Sequence, residues 1–247
     1  MKPVRIPIPW NGKTLNADLS EGQCIAIPLD HTQSQPNAYY APLYEATPVR
    51  VGDWIGDTRE GGSVNFYNIR LNPHGNGTHT ECVGHISDDR YSIHQALGSE
   101  FFIAQLISVY PSQQDNGDRI IDRLEWEPDI EAIIIRTLPN HPDKLVRQYS
   151  GTNPPYLDSN LAGKMSDENI QHLLLDLPSV DREEDGGTLA AHKAFWKYPE
   201  NPRTKATITE LIYVDNVVPD GLYLLQIQIA ALELDASPSR PFIYPLR

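Results

Sequence analysis

Ile130–Arg136, IEAIIIR, reads as a strand: β-branched residues crowd it and turn-forming residues bound it. Phe102–Tyr110 (FIAQLISVY) is a second β-rich run, and Leu173–Leu177 (LLLDL) reads as a short buried strand. Working outward, Arg5–Pro9 alternates, Asn11-Gly12 supplies a turn, and Cys24–Leu29 (CIAIPL) is a short apolar run, so the first 30 residues read as two strands. Ser63–Leu71 and Ile208–Val214 read as further strands, and Gly221–Leu234 as an apolar pair ending at Ala236-Ser237-Pro238. Helix is scarce. The clearest lies within Leu157–Leu173, with Met165–Glu168 as its capped start and Ile170, Leu173 and Leu174 on one face. Thr188–Phe195 is a second helical stretch, and His94–Leu97 a short one. The pattern predicts a mixed, strand-rich α/β fold. With no internal repeat and no shift in composition, residues 1–247 are expected to form one domain.

The balance of 20 Lys+Arg against 33 Asp+Glu leaves a formal charge of −13. That charge argues against nucleic acid or an anionic membrane as partner, since both call for a basic patch. No stretch approaches the roughly 18 apolar residues of a bilayer span. The start, MKPVRIPIPWNGK, lacks the apolar core of a secretory signal. Two cysteines, Cys24 and Cys82, are too few for a disulfide framework, and a reduced cytoplasmic setting is the expectation. The segment His31–Pro48 is polar, rich in proline and carries Tyr39, Tyr40 and Tyr44, which reads as a long loop with work to do.

Chemistry concentrates in HGNGTHTECVGH, His74–His85. In an extended segment His79, Glu81, Val83 and His85 share a face. Imidazole and carboxylate together suit Zn²⁺, Mn²⁺ or Fe²⁺. Gly75 and Gly77 permit a tight return that brings His74 toward the same spot. A glycine-rich loop with surface histidines fits the spacing equally well, because no zinc-finger or H-E-x-x-H pattern is present. Taken alone, His192 reads as a structural or surface histidine, and His172 as a capping or core residue at a helix end. Glu210 starts an apolar run, where an acid is costly unless paired or metal-bound. Cys82 and His85 fall on opposite faces of a strand, so a buried, unreactive thiol is favoured over a nucleophile. Asp176 and Asp181 read as loop-fixing hydrogen-bond acceptors.

The order of Ser63-Val64-Asn65, the His74–His85 cluster, Leu175–Asp181, His192, Glu210-Leu211 and Asp235–Pro241 resembles the metal-dependent cyclase family, which includes bacterial kynurenine formamidase and isatin hydrolase. The resemblance covers residues 25–245. Its signature is H-x-G-T-H-x-D-x-P-x-H, followed far downstream by a His and a Glu. It implies a swivelling β/β/α fold, homo-oligomers and hydrolysis of an amide, cyclic amide or lactone-like bond. It also implies one or two divalent ions, Zn or Mn, held by His74, His79, Glu81, His192 and Glu210, with His85 moving protons. Tyr39 or Tyr40 then stands where kynurenine formamidases carry a substrate-contacting tryptophan. The sequence departs from the signature in three ways. The acid is Glu81 rather than Asp, Cys82-Val83-Gly84 lacks the proline, and His74 lies five rather than four residues before His79. These departures motivate a rival expectation: a degenerate member that binds a ligand or one metal without turnover.

Overall fold

A computed structural model describes residues 4–247. A nine-stranded sheet organises it. Its order runs Ala236–Pro238, His79–Cys82, Thr207–Glu210, His172–Leu175, Ala132–Thr137, Phe101–Val109, Gly221–Gln226, Phe242–Pro245, Gln23–Cys24. The four strands from Phe101–Val109 to Thr207–Glu210 run parallel, and the flanking strands pair antiparallel.

Strand alternation explains why Ala132–Ile135, the heart of IEAIIIR, is apolar at every position. Ile133 and Ile135 share a core cluster with Leu161, Met165, Phe195 and Trp196, large buried residues of the helices Ser159–Asp167 and Ala190–Trp196. Ala132 and Ile134 face the other way, onto Phe102, Leu106, Ile212, Val214 and Val218. A central parallel strand is covered on both faces and therefore reads as a continuous hydrophobic run. The result is the strand-rich, mixed α/β architecture expected from the sequence.

Several boundaries differ from the sequence expectation. The helix begins at Ser159, where the Asp158 carboxylate accepts from the Asn160 and Leu161 amides, and ends at Asp167. Met165 is thus near its end, not its start. Asn169 takes φ +61°, and His172–Leu175 departs as a strand with Leu173 and Leu174 on opposite faces. His172 belongs to that strand and to the core, with Nδ1 at 2.8 Å from Thr207 Oγ1 and its ring 3.8 Å from that of Phe102. The first 30 residues contain a hairpin, Arg5–Trp10 with Lys13–Asp18, and only Gln23–Cys24 of the CIAIPL region is strand. Tyr67–Arg70 is the paired part of Ser63–Leu71. Leu211, at φ +54°, ends the strand that begins at Thr207, and Gly221–Leu234 supplies one strand, Gly221–Gln226. Among the described residues no helix is long and apolar enough to cross a membrane.

Candidate metal centre

The strand His79–Cys82 lies between Thr207–Glu210 and Ala236–Pro238, and its register places Glu210 opposite His79. Alternation sends His79 and Glu81 to one face. Thr80 turns to the other, where its hydroxyl meets that of Thr209 at 2.8 Å. The sequence expectation of one extended face through His85 fails after Cys82. Val83–His85 is a turn of 3₁₀ helix, and Val83 enters the hydrophobic core. The turn needs Gly84, since a Cβ there would sit 2.3 Å from the Tyr91 carbonyl oxygen. Instead of lying about 13 Å along an extended strand, His85 folds back until Nδ1 is 3.8 Å from Glu81 Oε2.

His74 arrives from the short helix Pro73–Asn76, capped by the Asn72 side chain accepting from the Gly75 amide. Gly75 lets this turn press on the tyrosine loop, because a Cβ there would come 2.4 Å from the Ala41 Cβ. The His74 Nδ1 then lies 3.1 Å from Glu81 Oε2, and its ring stacks on His85 at 4.2 Å. His192 comes from the first turn of Ala190–Trp196. Its Nδ1 is 2.6 Å from Asp181 Oδ2, and its Nε2 is 3.1 Å from Glu81 Oε1. His79 donates from Nδ1 to the Gly77 carbonyl at 2.9 Å and turns Nε2 to within 3.4 Å of Glu210 Oε2. Glu210 in turn accepts the Val180 amide through Oε1. All five residues expected as ligands, His74, His79, Glu81, His192 and Glu210, therefore converge, and His85 joins them.

The donor chemistry fits a divalent cation. Ligand atoms of His74, Glu81 and His85 lie within 4.8 Å of one another, and so do those of His79, Glu81 and Glu210. Glu81 belongs to both sets. The His79 Nε2 is buried with no hydrogen-bond partner, and Glu81 Oε2 is buried with the His74 and His85 ring nitrogens 3.1 and 3.8 Å away but no aligned hydrogen bond to either, a costly state for polar atoms unless something else coordinates them. Among the described residues no Lys or Arg salt-bridges Glu81, Glu210, Asp181 or Asp235; histidines alone face them. Burial disfavours a charged His74 and a charged His192. The carboxylates that face them, Asp235 and Glu81 for the first and Asp181 and Glu81 for the second, nonetheless push each up to about 10. Burial likewise opposes the Glu81 charge, yet His85, His192 and His74 hold it well below the usual carboxylate range. The site is a concentrated negative field that takes up positive charge.

A cavity of about 520 Å³ opens onto this cluster. Tyr39 and Tyr40 line it with left-handed backbones, φ +55° and +52°, rare for bulky residues. Tyr39 is 42% exposed, with its hydroxyl 3.5 Å from the Pro178 carbonyl; desolvation of that hydroxyl, followed by the Glu210 charge, raises its pKa. Tyr40 is 80% exposed. Cys82 is inert by position: burial pushes its thiol up to about 11. Asp181 and Asp176 both act as buried acceptors, the first for His192 and the Ala191 amide, the second for Thr137 and Lys144. Asp235 was not among the expected site residues. Its Oδ2 is 2.8 Å from His74 Nε2 and 3.4 Å from His85 Nδ1. The family resemblance takes in Asp235–Pro241 but assigns Asp235 no role, and its partner His74 is 161 positions away.

The Cyclase family model matches residues 17–182. Kynurenine formamidase of Bacillus mycoides (strain KBAB4) is 25% identical over 213 residues, which cover 79% of this chain and 92% of that protein. A solved structure described as a potential metal-dependent hydrolase with cyclase activity aligns with a TM-score of 0.63 at 14% identity, covering 90% of this chain and 96% of that one. Isatin hydrolase A of Labrenzia aggregata, bound to benzyl benzoate, aligns at 0.60 and 13%, covering 91% and 94%. At such identities the two structures speak to the fold, which they share with this chain. The family match encloses His74, His79, Glu81 and His85, and the chain belongs to the Cyclase family.

Proposed function

We propose that this chain is a metal-dependent hydrolase that opens an amide, cyclic amide or lactone-like bond of a small molecule. The observation that carries the reading is Glu81, buried at the meeting point of two three-residue donor sets. In this reading His74, His79 and His192 are neutral nitrogen ligands, and Glu81 and Glu210 are the carboxylate ligands of one or two ions of Zn or Mn. Bound there, a divalent ion supplies Lewis acidity toward a carbonyl oxygen and lowers the pKa of water from about 15.7 toward 7. The residues of the chain do the rest. His85, with a third of its side chain open to the cavity, moves the proton to the leaving nitrogen or oxygen. Tyr39 offers its hydroxyl to the substrate from the cavity wall, and Tyr40 covers the mouth.

The kynurenine formamidase relative and the isatin hydrolase neighbour supply the substrate classes to try. Elemental analysis of protein purified without chelator, followed by a screen of aryl formamides, cyclic imides and lactones, tests the reading. Bound metal with hydrolysis that stops on chelation is expected. Metal-free protein that hydrolyses nothing would favour the rival, a ligand-binding member without turnover. The same reading takes residues 1–247 as one hydrolase domain working in the cytoplasm as a homo-oligomer. Exposed Trp54, Phe66 and Ile69, on or between the small hairpins of residues 45–70, offer an apolar face for self-association, which light scattering on the native protein checks.

A further inference from the structure

Asp235 holds no place in the roles above, yet its position is tightly fixed. It immediately precedes the edge strand Ala236–Pro238, whose Ala236 pairs with Glu81, and its own carbonyl accepts the Cys82 amide at 3.0 Å. From this anchored backbone one carboxylate oxygen, Oδ2, reaches both His74 Nε2 at 2.8 Å and His85 Nδ1 at 3.4 Å. The two rings stack, 29° from parallel.

A ring nitrogen that donates to a carboxylate or carbonyl leaves the opposite nitrogen with a free lone pair. His192 is arranged in this way by Asp181, and His79 by the Gly77 carbonyl. Among the described residues, the group that faces the opposite nitrogen of His74 is Asp235, at Nε2, which leaves Nδ1 facing Glu81. His74 has more need of it than the other two. It sits on a four-residue helix, and its side chain is 24% exposed, against 0% for His79 and 3% for His192. We propose that Asp235 is the positioning residue of the outer half of the site: it fixes the tautomer and ring plane of His74, with His85 stacked against it. The inference rests on the metal-dependent reading and concerns a residue outside the ligand set.

The test measures Zn²⁺ affinity by chelator competition for the wild type, Asp235→Ala, Asp235→Asn, His74→Ala and the Asp235→Ala/His74→Ala double variant. Melting of the metal-free proteins runs alongside. The expected result is a 10–100-fold weaker affinity in Asp235→Ala, a smaller loss in Asp235→Asn, whose amide oxygen still accepts from Nε2, and cooperative melting of both. The double variant should bind as His74→Ala does. Unchanged affinity in Asp235→Asn and Asp235→Ala would overturn the proposal, as would losses that add in the double variant. Should Asp235→Ala fail to melt cooperatively, Asp235→Asn and the wild type decide. A wild type that binds no Zn²⁺ would sink the metal-dependent reading, and this inference with it.

Discussion

Asp181 and His192 face each other at 2.6 Å, and the same carboxylate accepts the backbone amides of Ala191 and His192. One side chain thus starts the helix Ala190–Trp196 and points His192 Nε2 at Glu81, 111 positions earlier in the chain. Burial opposes the Asp181 charge, but the His192 and amide contacts hold its pKa below the ordinary carboxylate value.

Replacing Asp181 by Asn separates these duties. The amide oxygen still accepts from one donor, so the helix start survives with a loss of about 1 kcal/mol. The negative charge that sets the His192 tautomer is gone, and metal affinity should fall roughly 10–100-fold. Chelator competition reads the affinity and urea unfolding reads the stability. A variant with wild-type affinity would show that His192 is not held for coordination.

Glu210→Gln removes the charge opposite His79 while keeping the shape and the acceptor for the Val180 amide. Metal content should drop and hydrolysis should vanish, with circular dichroism unchanged. Full occupancy together with full activity would remove Glu210 from the ligand set.

His85→Ala distinguishes a proton carrier from a ligand. The turn Val83–His85 brings the ring within reach of Glu81, so proximity alone allows both roles. Its partly open side chain favours the proton role, which predicts a fall in turnover of roughly 10²–10⁴-fold with metal retained. Metal loss equal to that of His79→Ala would make His85 a ligand.

What the sequence revealed follows from how local each signal is. The strands of the parallel core were legible because burial on both faces makes Ala132–Ile135 apolar at every position. The ligand types were legible because His74–His85 gathers them within twelve residues, and the family resemblance extended them to His192 and Glu210. Other features depend on contacts between distant residues. His85 lies close to Glu81 because the Tyr91 carbonyl leaves no room for a side chain at Gly84. Asp235 matters because the edge strand that follows it pairs with His79–Cys82, far earlier in the chain. The misplaced helix has a simpler cause: Met165–Glu168 has the composition of a capped start, but the structure caps the helix at Asp158 and follows Met165–Glu168 with Asn169 in a left-handed turn that only the fold reveals.

Acid should weaken the fold through His172. Burial, followed by the nearby Arg203 charge, lowers its pKa to about 3, whereas the unfolded chain protonates histidine near 6.5. Between these values the unfolded state binds a proton that the folded state refuses, so stability falls as the pH drops below about 6.5 and is unaffected above it. The slope is about 1.4 kcal/mol per pH unit, or about 2 kcal/mol between pH 6.5 and 5. His172→Gln cannot titrate and retains a polar group for the Thr207 hydroxyl. It should lose stability at pH 7.5, through poorer packing against Phe102, and close the gap to the wild type by about 2 kcal/mol at pH 5. The acids and histidines of the metal centre titrate in both proteins, so the difference between their urea-unfolding free energies isolates His172. A gap that stays constant from pH 7.5 to 5 would show that His172 takes up its proton as readily in the folded state as in the unfolded chain, and that its place against Phe102 and Thr207 is open enough to water to accept the charge.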